Sequence, residues 1–339
     1  MNILVIDYLS PPGHANFDQI HIQSLLDLGH KLCLVGRRGQ FPAFNASSVV
    51  NKVQIPEKYY KCHFKKSISE RILGILCLLW IKRHIKLREY EKIVFLTYDI
   101  LSIPFFRADV PVYLVNHNNV DQFESSIKLK ITKHLPSNYA HVALNEYMAD
   151  ELRKFLSGKT VFMVPHGYLP PTGEEVRPSF VQDGECFIFC PVNRNFNDVL
   201  IKEILKSEMV DRYLKKRDII LYVKSQLLSQ NKGNIKVLPY LNTDEYNYML
   251  SHSKAVILPY GDDFRYRCSG ILFECVPRKI PILATEREAL LIYKNRIDIR
   301  FFRDSTSLIF ALNDIRPDEN KYYDIEQFQP AKYWGKILV

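Results

Sequence analysis

What most constrains this chain is an alternation that runs from end to end. Short β-rich apolar runs are separated by stretches with helical, 3.6-residue periodicity. The first half reads as strands at 3–8, 31–35, 49–55, 92–97, 111–116, 141–144 and 160–164. Helices are expected at 16–28, 67–87, 100–106 (short) and 146–156, with the stretch after Asn116 ill-defined. Strands spaced by helices pair in parallel through crossovers, which places the helices on both faces of the sheet.

The pattern breaks from Pro165 to Gly184, which holds four prolines, three glycines and several charges. Such a segment predicts an interdomain linker. Beyond it the alternation restarts, with strands at 186–190, 219–223, 235–238, 255–259, 280–284 and 297–301. Helices are expected at 199–207, 244–251, 270–276, 287–293 and 305–312. The chain has 339 residues, more than one core usually serves. The simplest architecture is therefore two doubly wound, Rossmann-like α/β domains facing a cleft, at 1–168 and 185–325. Residues 169–184 form the linker, and 326–339 are expected to cross back to the first domain. Ligands in such sheets sit beyond the carboxyl ends of the strands, near helix N-termini.

Several function classes are excluded by what is missing. No G-x-G-x-x-G follows the first strand, as a dinucleotide-dependent dehydrogenase would need. Gly158-Lys159-Thr160 fails as a Walker loop because Arg153 stands where its first glycine belongs. No G-x-S-x-G or H-E-x-x-H occurs. The seven cysteines are scattered, form no C-x-x-C, and fit a reducing cytoplasm. The opening MNILVIDYLS reads as a buried strand rather than a signal peptide, and the longest apolar run, Ile72–Ile81, is short of a membrane span. Of the net charge of +9, most lies between Lys58 and Lys92, where ten Lys/Arg face three Glu. A nucleic-acid binder spreads its basic and aromatic residues over a face, so this local patch argues against one. It flanks the apolar run instead. Residues 65–88, with Trp80, are expected to meet an anionic membrane surface, each cation contributing about 1 kcal/mol.

The stretch 255–285 carries the most chemistry: a buried strand, a polar loop, a helix entered at Cys268-Ser269-Gly270, and another buried strand. Small residues at a helix start let phosphate oxygens approach free backbone N–H groups, where the dipole adds roughly half a positive charge. Arg265 and Arg267 precede that start and are placed to bond a diphosphate. Glu274, one turn inside, is placed to accept from ribose hydroxyls. His117 follows the strand 111–116 within a run of four polar residues, Asn116 to Asn119, which argues for a ligand-facing loop. His14 is analogous.

In order, these pieces resemble the retaining GT-B glycosyltransferase family that includes sucrose synthases and bacterial mannosyltransferases. Leu258-Pro259, Glu274 and Lys279-Ile280-Pro281-Ile282-Leu283-Ala284-Thr285 are similar to its donor-binding segment. Ser10-Pro11-Pro12-Gly13-His14 with Leu28-Gly29-His30-Lys31 resembles its opening, Val115-Asn116-His117 its strand-end histidine, and Val164-Pro165-His166-Gly167-Tyr168 its turn at the end of the first domain. The likeness covers nearly the whole chain. The family pairs two glutamates around the donor loop; with Glu274 as the second, the first falls on Tyr266, so either Asp262 or Asp263 takes its place or the sugar is held differently.

The resemblance implies a nucleotide-sugar-dependent glycosyltransferase, retaining, acting on a saccharide or lipid-linked saccharide in surface-glycan synthesis. Catalytic roles fall to His117, His14, Arg194 and Lys224, the two cations offsetting charge on the leaving diphosphate. Donor contacts fall to Arg267, Ser269, Gly270, Glu274, Tyr240 and Asp263, and the acceptor side to Gly13 and Asn118. The nucleotide-sugar is a substrate, and no cofactor or metal is expected, because no D-x-D pair lies in a metal-binding loop. The expected location is cytoplasmic, peripheral on the inner face of the plasma membrane. Two alternatives stay open: a nucleotide-sugar epimerase of the same fold, and a non-catalytic glycan-binding or scaffold subunit.

Overall fold

The computed structural model describes residues 1–9, 14–45, 47, 49–59, 68–171, 174–192, 196–225, 231–238, 240–315 and 324–338. The chain divides into two compact units. The first comprises Met1–Tyr168, Tyr266–Cys268 and Glu326–Val339, and the second Leu169–Arg265 and Ser269–Ile325.

The first unit is built on β1 (Asn2–Asp7), β2 (Lys31–Gly36), β3 (Val50–Gln54), β4 (Lys92–Thr97), β5 (Val112–Val115), β6 (Tyr139–Ala143) and β7 (Val161–Met163). These form one parallel sheet in the order β3-β2-β1-β4-β5-β6-β7. Ile3 to Ile6 and Ile93 to Leu96 are wholly buried, as expected of central parallel strands covered on both faces. The strand order reverses between β1 and β4, where Asp7 lies opposite Thr97 after a register shift at Ile6/Asp7. The helices of this unit are α1 (Ala15–Asp27), α2 (Ile68–His84), α3 (Ser126–Lys133), α4 (Glu146–Phe155) and, after the second unit, α11 (Ala331–Ile337). Asn145 caps α4, its side chain accepting from the Met148 N–H at 2.7 Å. The fully buried Trp334 of α11 donates from Nε1 to His21 Nδ1 of α1 at 3.0 Å.

The second unit holds β8 (Phe187–Pro191), β9 (Ile220–Lys224), β10 (Ile235–Leu238), β11 (Val256–Leu258), β12 (Ile282–Thr285) and β13 (Ile299–Phe302). They form a second parallel sheet, ordered β10-β9-β8-β11-β12-β13. Its helices are α5 (Asp198–Lys206), α6 (Glu208–Lys216), α7 (Thr243–His252), α8 (Gly270–Cys275), α9 (Glu288–Leu291) and α10 (Ser305–Asn313). Both sheets thus repeat the third-second-first-fourth-fifth-sixth strand order of dinucleotide-binding folds, with a switch point beside their first strand. Two Rossmann-like α/β units are what the alternation predicts.

Four helical details differ from the sequence reading. The helix expected at 100–106 is only a 3₁₀ turn, Ile103–Phe105, because Pro104 supplies no N–H to continue it. The ill-defined stretch after Asn116 contains a 3₁₀ turn, Val120–Glu124, and then α3. The helix expected at 199–207 is followed at once by α6, since Ser207 ends α5 and its hydroxyl caps α6, accepting from the Val210 N–H at 3.3 Å. Helix α11 falls where no element was expected.

Candidate functional site

In the first unit, ionisable side chains gather where the carboxyl end of β1 meets the start of α1. Asp7, the last residue of β1, is fully buried. Its Oδ1 accepts from the Thr97 hydroxyl at the end of β4, and its Oδ2 from Gln40 Nε2 at 2.9 Å. The same Gln40 amide donates to Asp18 Oδ2 on α1. His14, the residue before α1, places Nδ1 3.7 Å from Asp7 Oδ2 and 3.5 Å from Asp18 Oδ1. Burial alone would lower its pKa, but the two carboxylates outweigh that and raise it to about 9. Burial, reinforced by the charge of Asp7, pushes the Asp18 carboxyl above the usual range.

Around this group lie three further imidazoles with Phe17 at their centre. The Phe17 ring is 4.9 Å from His14 and from His117, 4.3 Å from His21 and 5.1 Å from His166, between ring centroids. His14 and His117 are themselves 4.5 Å apart. His117 follows β5 by two residues and is partly exposed. Desolvation, with the charges of His14 and His166 adding to it, pushes its pKa well below the ordinary value, so it is neutral near pH 7. Asn118 beside it is exposed. The unit therefore presents a neutral imidazole at the rim and, beside it, a buried imidazole set between two carboxylates.

In the second unit, Lys224 ends β9 and its ammonium lies 5.0 Å from the centre of the Tyr246 ring. Tyr246, on α7, donates its hydroxyl to Glu274 Oε2 at 2.9 Å. Burial raises the Glu274 carboxyl and lowers the Lys224 ammonium, each being partly offset by the other's charge. Ser269 caps α8, its Oγ accepting from the Leu272 N–H at 3.0 Å and lying 2.5 Å from the Tyr260 hydroxyl. Gly270, the first residue of α8, is exposed, as is Asp263 on the preceding loop. Tyr240, beyond the end of β10, is 69% exposed. The neighbouring Asp262 pairs with Arg287 at 2.6 Å.

The expected site residues thus fall into two groups that the fold assembles, His14 with His117 and Lys224 with Glu274. Arg267 lies in the first unit, where its Nε donates to Asp121 Oδ2 at 2.6 Å. Tyr266, at the position of the family's first glutamate, stacks on Tyr147 with centroids 6.0 Å apart. Gly13 and Arg194 lie outside the described residues. The sequence reading passed over Asp7, Asp18, His166 and Tyr246. One signal was available: His14 and Asp18 are four residues apart at a helix start, hence on one face. Nothing local marks Tyr246, whose role depends on how α7 packs.

No protein-family model matches this chain, and no curated protein matches it by sequence. Solved structures do. The UDP-GlcNAc 2-epimerase of Methanocaldococcus jannaschii superposes with a TM-score of 0.60 at 12% identity, covering 99% of this chain and 98% of that one. WaaG, a glycosyltransferase involved in lipopolysaccharide biosynthesis, gives 0.60 at 10% identity, covering 99% and 95%. The Anabaena protein HepE, solved in complex with UDP-glucose, gives 0.58 at 12% identity, covering 99% and 95%. At these identities the likeness establishes the fold: two Rossmann-like units of the GT-B kind.

Proposed function

We propose that this protein is a nucleotide-sugar-dependent glycosyltransferase, and that the second unit holds the donor. The observation that carries the reading is the Lys224–Tyr246–Glu274 cluster at the carboxyl edge of the second sheet. Its carboxylate has acceptor capacity left for ribose hydroxyls after the Tyr246 bond. Its ammonium, poorly solvated, is suited to the charge that builds on a departing diphosphate. Support comes also from the full-length likeness in fold to a UDP-GlcNAc 2-epimerase, a glycosyltransferase and a protein solved with UDP-glucose. Arg194, Ser269, Gly270, Asp263 and Tyr240 complete the donor side of this proposal, and Gly13 and Asn118 the acceptor side. The bond broken joins the anomeric carbon to the diphosphate, and the bond formed joins it to an acceptor hydroxyl. In the retaining course, that hydroxyl's proton passes to the departing phosphate oxygen, through an oxocarbenium-like state. The neutral His117 is the first unit's candidate for contacting a sugar.

A second reading, nucleotide-sugar epimerisation, is favoured by one specific observation. The first unit collects His14, His117 and His166 around Phe17, with Asp7 and Asp18 beside His14, more proton-handling groups than a retaining transfer needs. The test is incubation of the purified chain with a panel of nucleotide-sugars, with and without saccharide acceptors. A new glycosidic product formed only with acceptor supports transfer. Conversion of the donor alone to its epimer supports the second reading. Absence of nucleotide binding by calorimetry refutes both and leaves the scaffold alternative.

The acceptor we propose is lipid-linked, and what supports this is an exposed apolar stripe on α2. Among the described residues no helix is long and apolar enough to cross a membrane. Yet Ile72, Leu76 and Leu79, one face of α2, are 52%, 43% and 43% exposed, while Cys77, Leu78 and Ile81 pack inward. Arg83, Lys86 and Arg88 follow in exposed positions. An apolar stripe beside cations suits an anionic interface. Co-sedimentation with anionic and neutral vesicles at low and high salt tests it. Salt-sensitive recovery with the anionic vesicles supports the reading, and equal recovery in all four supernatants refutes it.

A further inference from the structure

We propose that Asp7, His14 and Asp18 form a binding site for one divalent transition-metal ion of the zinc class. Their ligand atoms, one imidazole nitrogen and two carboxylate oxygens, all lie within 4.8 Å of one another. All three side chains are more than nine-tenths buried. The separations decide between a metal and a direct ion pair. An imidazolium bonded to carboxylates sits at about 2.7–2.9 Å. His14 Nδ1 instead stands 3.7 Å from Asp7 Oδ2 and 3.5 Å from Asp18 Oδ1. With zinc-ligand bonds of about 2.0–2.2 Å, the edge of a tetrahedron is about 3.3–3.6 Å. The 3.5 Å separation falls in that range and the 3.7 Å one just beyond it, as for ligands set around a common centre.

Two independent features point the same way. First, His14 Nδ1 and Asp18 Oδ1 are buried without any hydrogen-bond partner. Buried polar atoms are nearly always satisfied, so these two require a ligand between them. Second, two buried carboxylates and one imidazole leave an excess of negative charge that burial opposes. A divalent cation removes that excess. Both carboxylates are also held from outside: Thr97 donates to Asp7 Oδ1, and Gln40 to Asp7 Oδ2 and Asp18 Oδ2. Ligating carboxylates are oriented by such outer bonds. His21 does not belong to the set. Its Nδ1 accepts from Trp334, so the ring proton sits on Nε2 and neither nitrogen is free to coordinate. Three protein ligands leave a position open for water or a hydroxyl. The mixed nitrogen and oxygen donors favour zinc or cobalt over magnesium or calcium. The ion would tie the end of β1 to the start of α1.

The site was not expected from the sequence, which offers no D-x-D loop. It joins residues of β1 and α1 with the residue that precedes α1. It does not depend on the nucleotide-sugar reading, because it is tested without nucleotide. The full chain, stripped with a chelator, is titrated with zinc by calorimetry and with cobalt by visible absorption. One equivalent of zinc is expected, with cobalt showing the ligand-field bands of a low-coordinate site and magnesium failing to compete. H14Q and D18N should each weaken zinc binding at least about ten-fold. Q40L, which leaves all three ligands in place, should weaken it about 10- to 100-fold. H252Q, which alters an exposed imidazole 3.0 Å from Glu175, should bind as the parent does. If H14Q and D18N fail to fold, the parent stoichiometry and Q40L still decide. Absence of saturable binding in the parent overturns the proposal, as does unchanged affinity in the folded variants.

Discussion

Gly167→Ala tests the seat of the C-terminal helix against numbers taken directly from the structure. Gly167 has φ +77°, the left-handed region, where a Cβ costs about 1–2 kcal/mol. That Cβ would also stand 2.5 Å from Ile20 Cγ2 and 2.6 Å from Pro330 Cγ. Neither neighbour yields easily: isoleucine is stiff at χ1, and the proline ring begins α11. Overpacking of this kind costs about 1–3 kcal/mol. Together the variant should lose about 2–5 kcal/mol. The chain has two tryptophans, Trp80 and Trp334, both in the first unit. Tryptophan emission during urea unfolding therefore reports that unit. The midpoint should fall with unchanged slope. Pro330→Ala in the Gly167→Ala background should restore part of the loss, since the two sites share a contact. A loss under about 1 kcal/mol would refute the reasoning, since it would mean that α11 moves aside freely.

Other outcomes follow from the same structure. Glu274→Ala should weaken nucleotide binding about ten- to a hundred-fold, because a hydrogen bond to a charged group is worth about 1.5–3 kcal/mol, whereas Glu274→Gln should keep the Tyr246 bond and lose less; calorimetry showing equal affinity in all three proteins removes Glu274 from the donor site. Because burial raises the Glu274 pKa, nucleotide affinity should decline on acidification at a higher pH than an ordinary carboxylate would dictate, and this decline should vanish in Glu274→Gln. His141, fully buried on β6, has its pKa lowered from 6.5 to about 3, so the unfolded chain binds the extra proton between those values and its contribution, complete above pH 6.5, is lost as pH falls. Its share of the acid slope is at most about 1.4 kcal/mol per pH unit, and His141→Leu should flatten the denaturation profile of the first unit by that share; an identical profile would exclude His141. Trp334→Phe should cost about 1–3 kcal/mol by leaving His21 Nδ1 buried without its donor, and unchanged thermal stability would deny that bond a role.

The sequence by itself determined the architecture. Parallel strands buried on both faces must read as unbroken apolar runs, and the thirteen expected runs coincide with β1 to β13. It also placed Ser269 and Glu274 on their strand–loop–helix, because that order is local along the chain. The helices it missed have local reasons too: α6 begins at the residue that ends α5, and α3 lies in a polar stretch that buries little. Only the tertiary structure decided that Thr97 bonds Asp7, that Gln40 bridges Asp7 and Asp18, and that Trp334 reaches His21. It also assigned Tyr266–Cys268 to the first unit. These contacts join residues far apart in sequence, and their distances are set by strand register and helix packing rather than by any local propensity. Periodicity reports which face of an element is buried. It carries no information about which buried polar group will meet which.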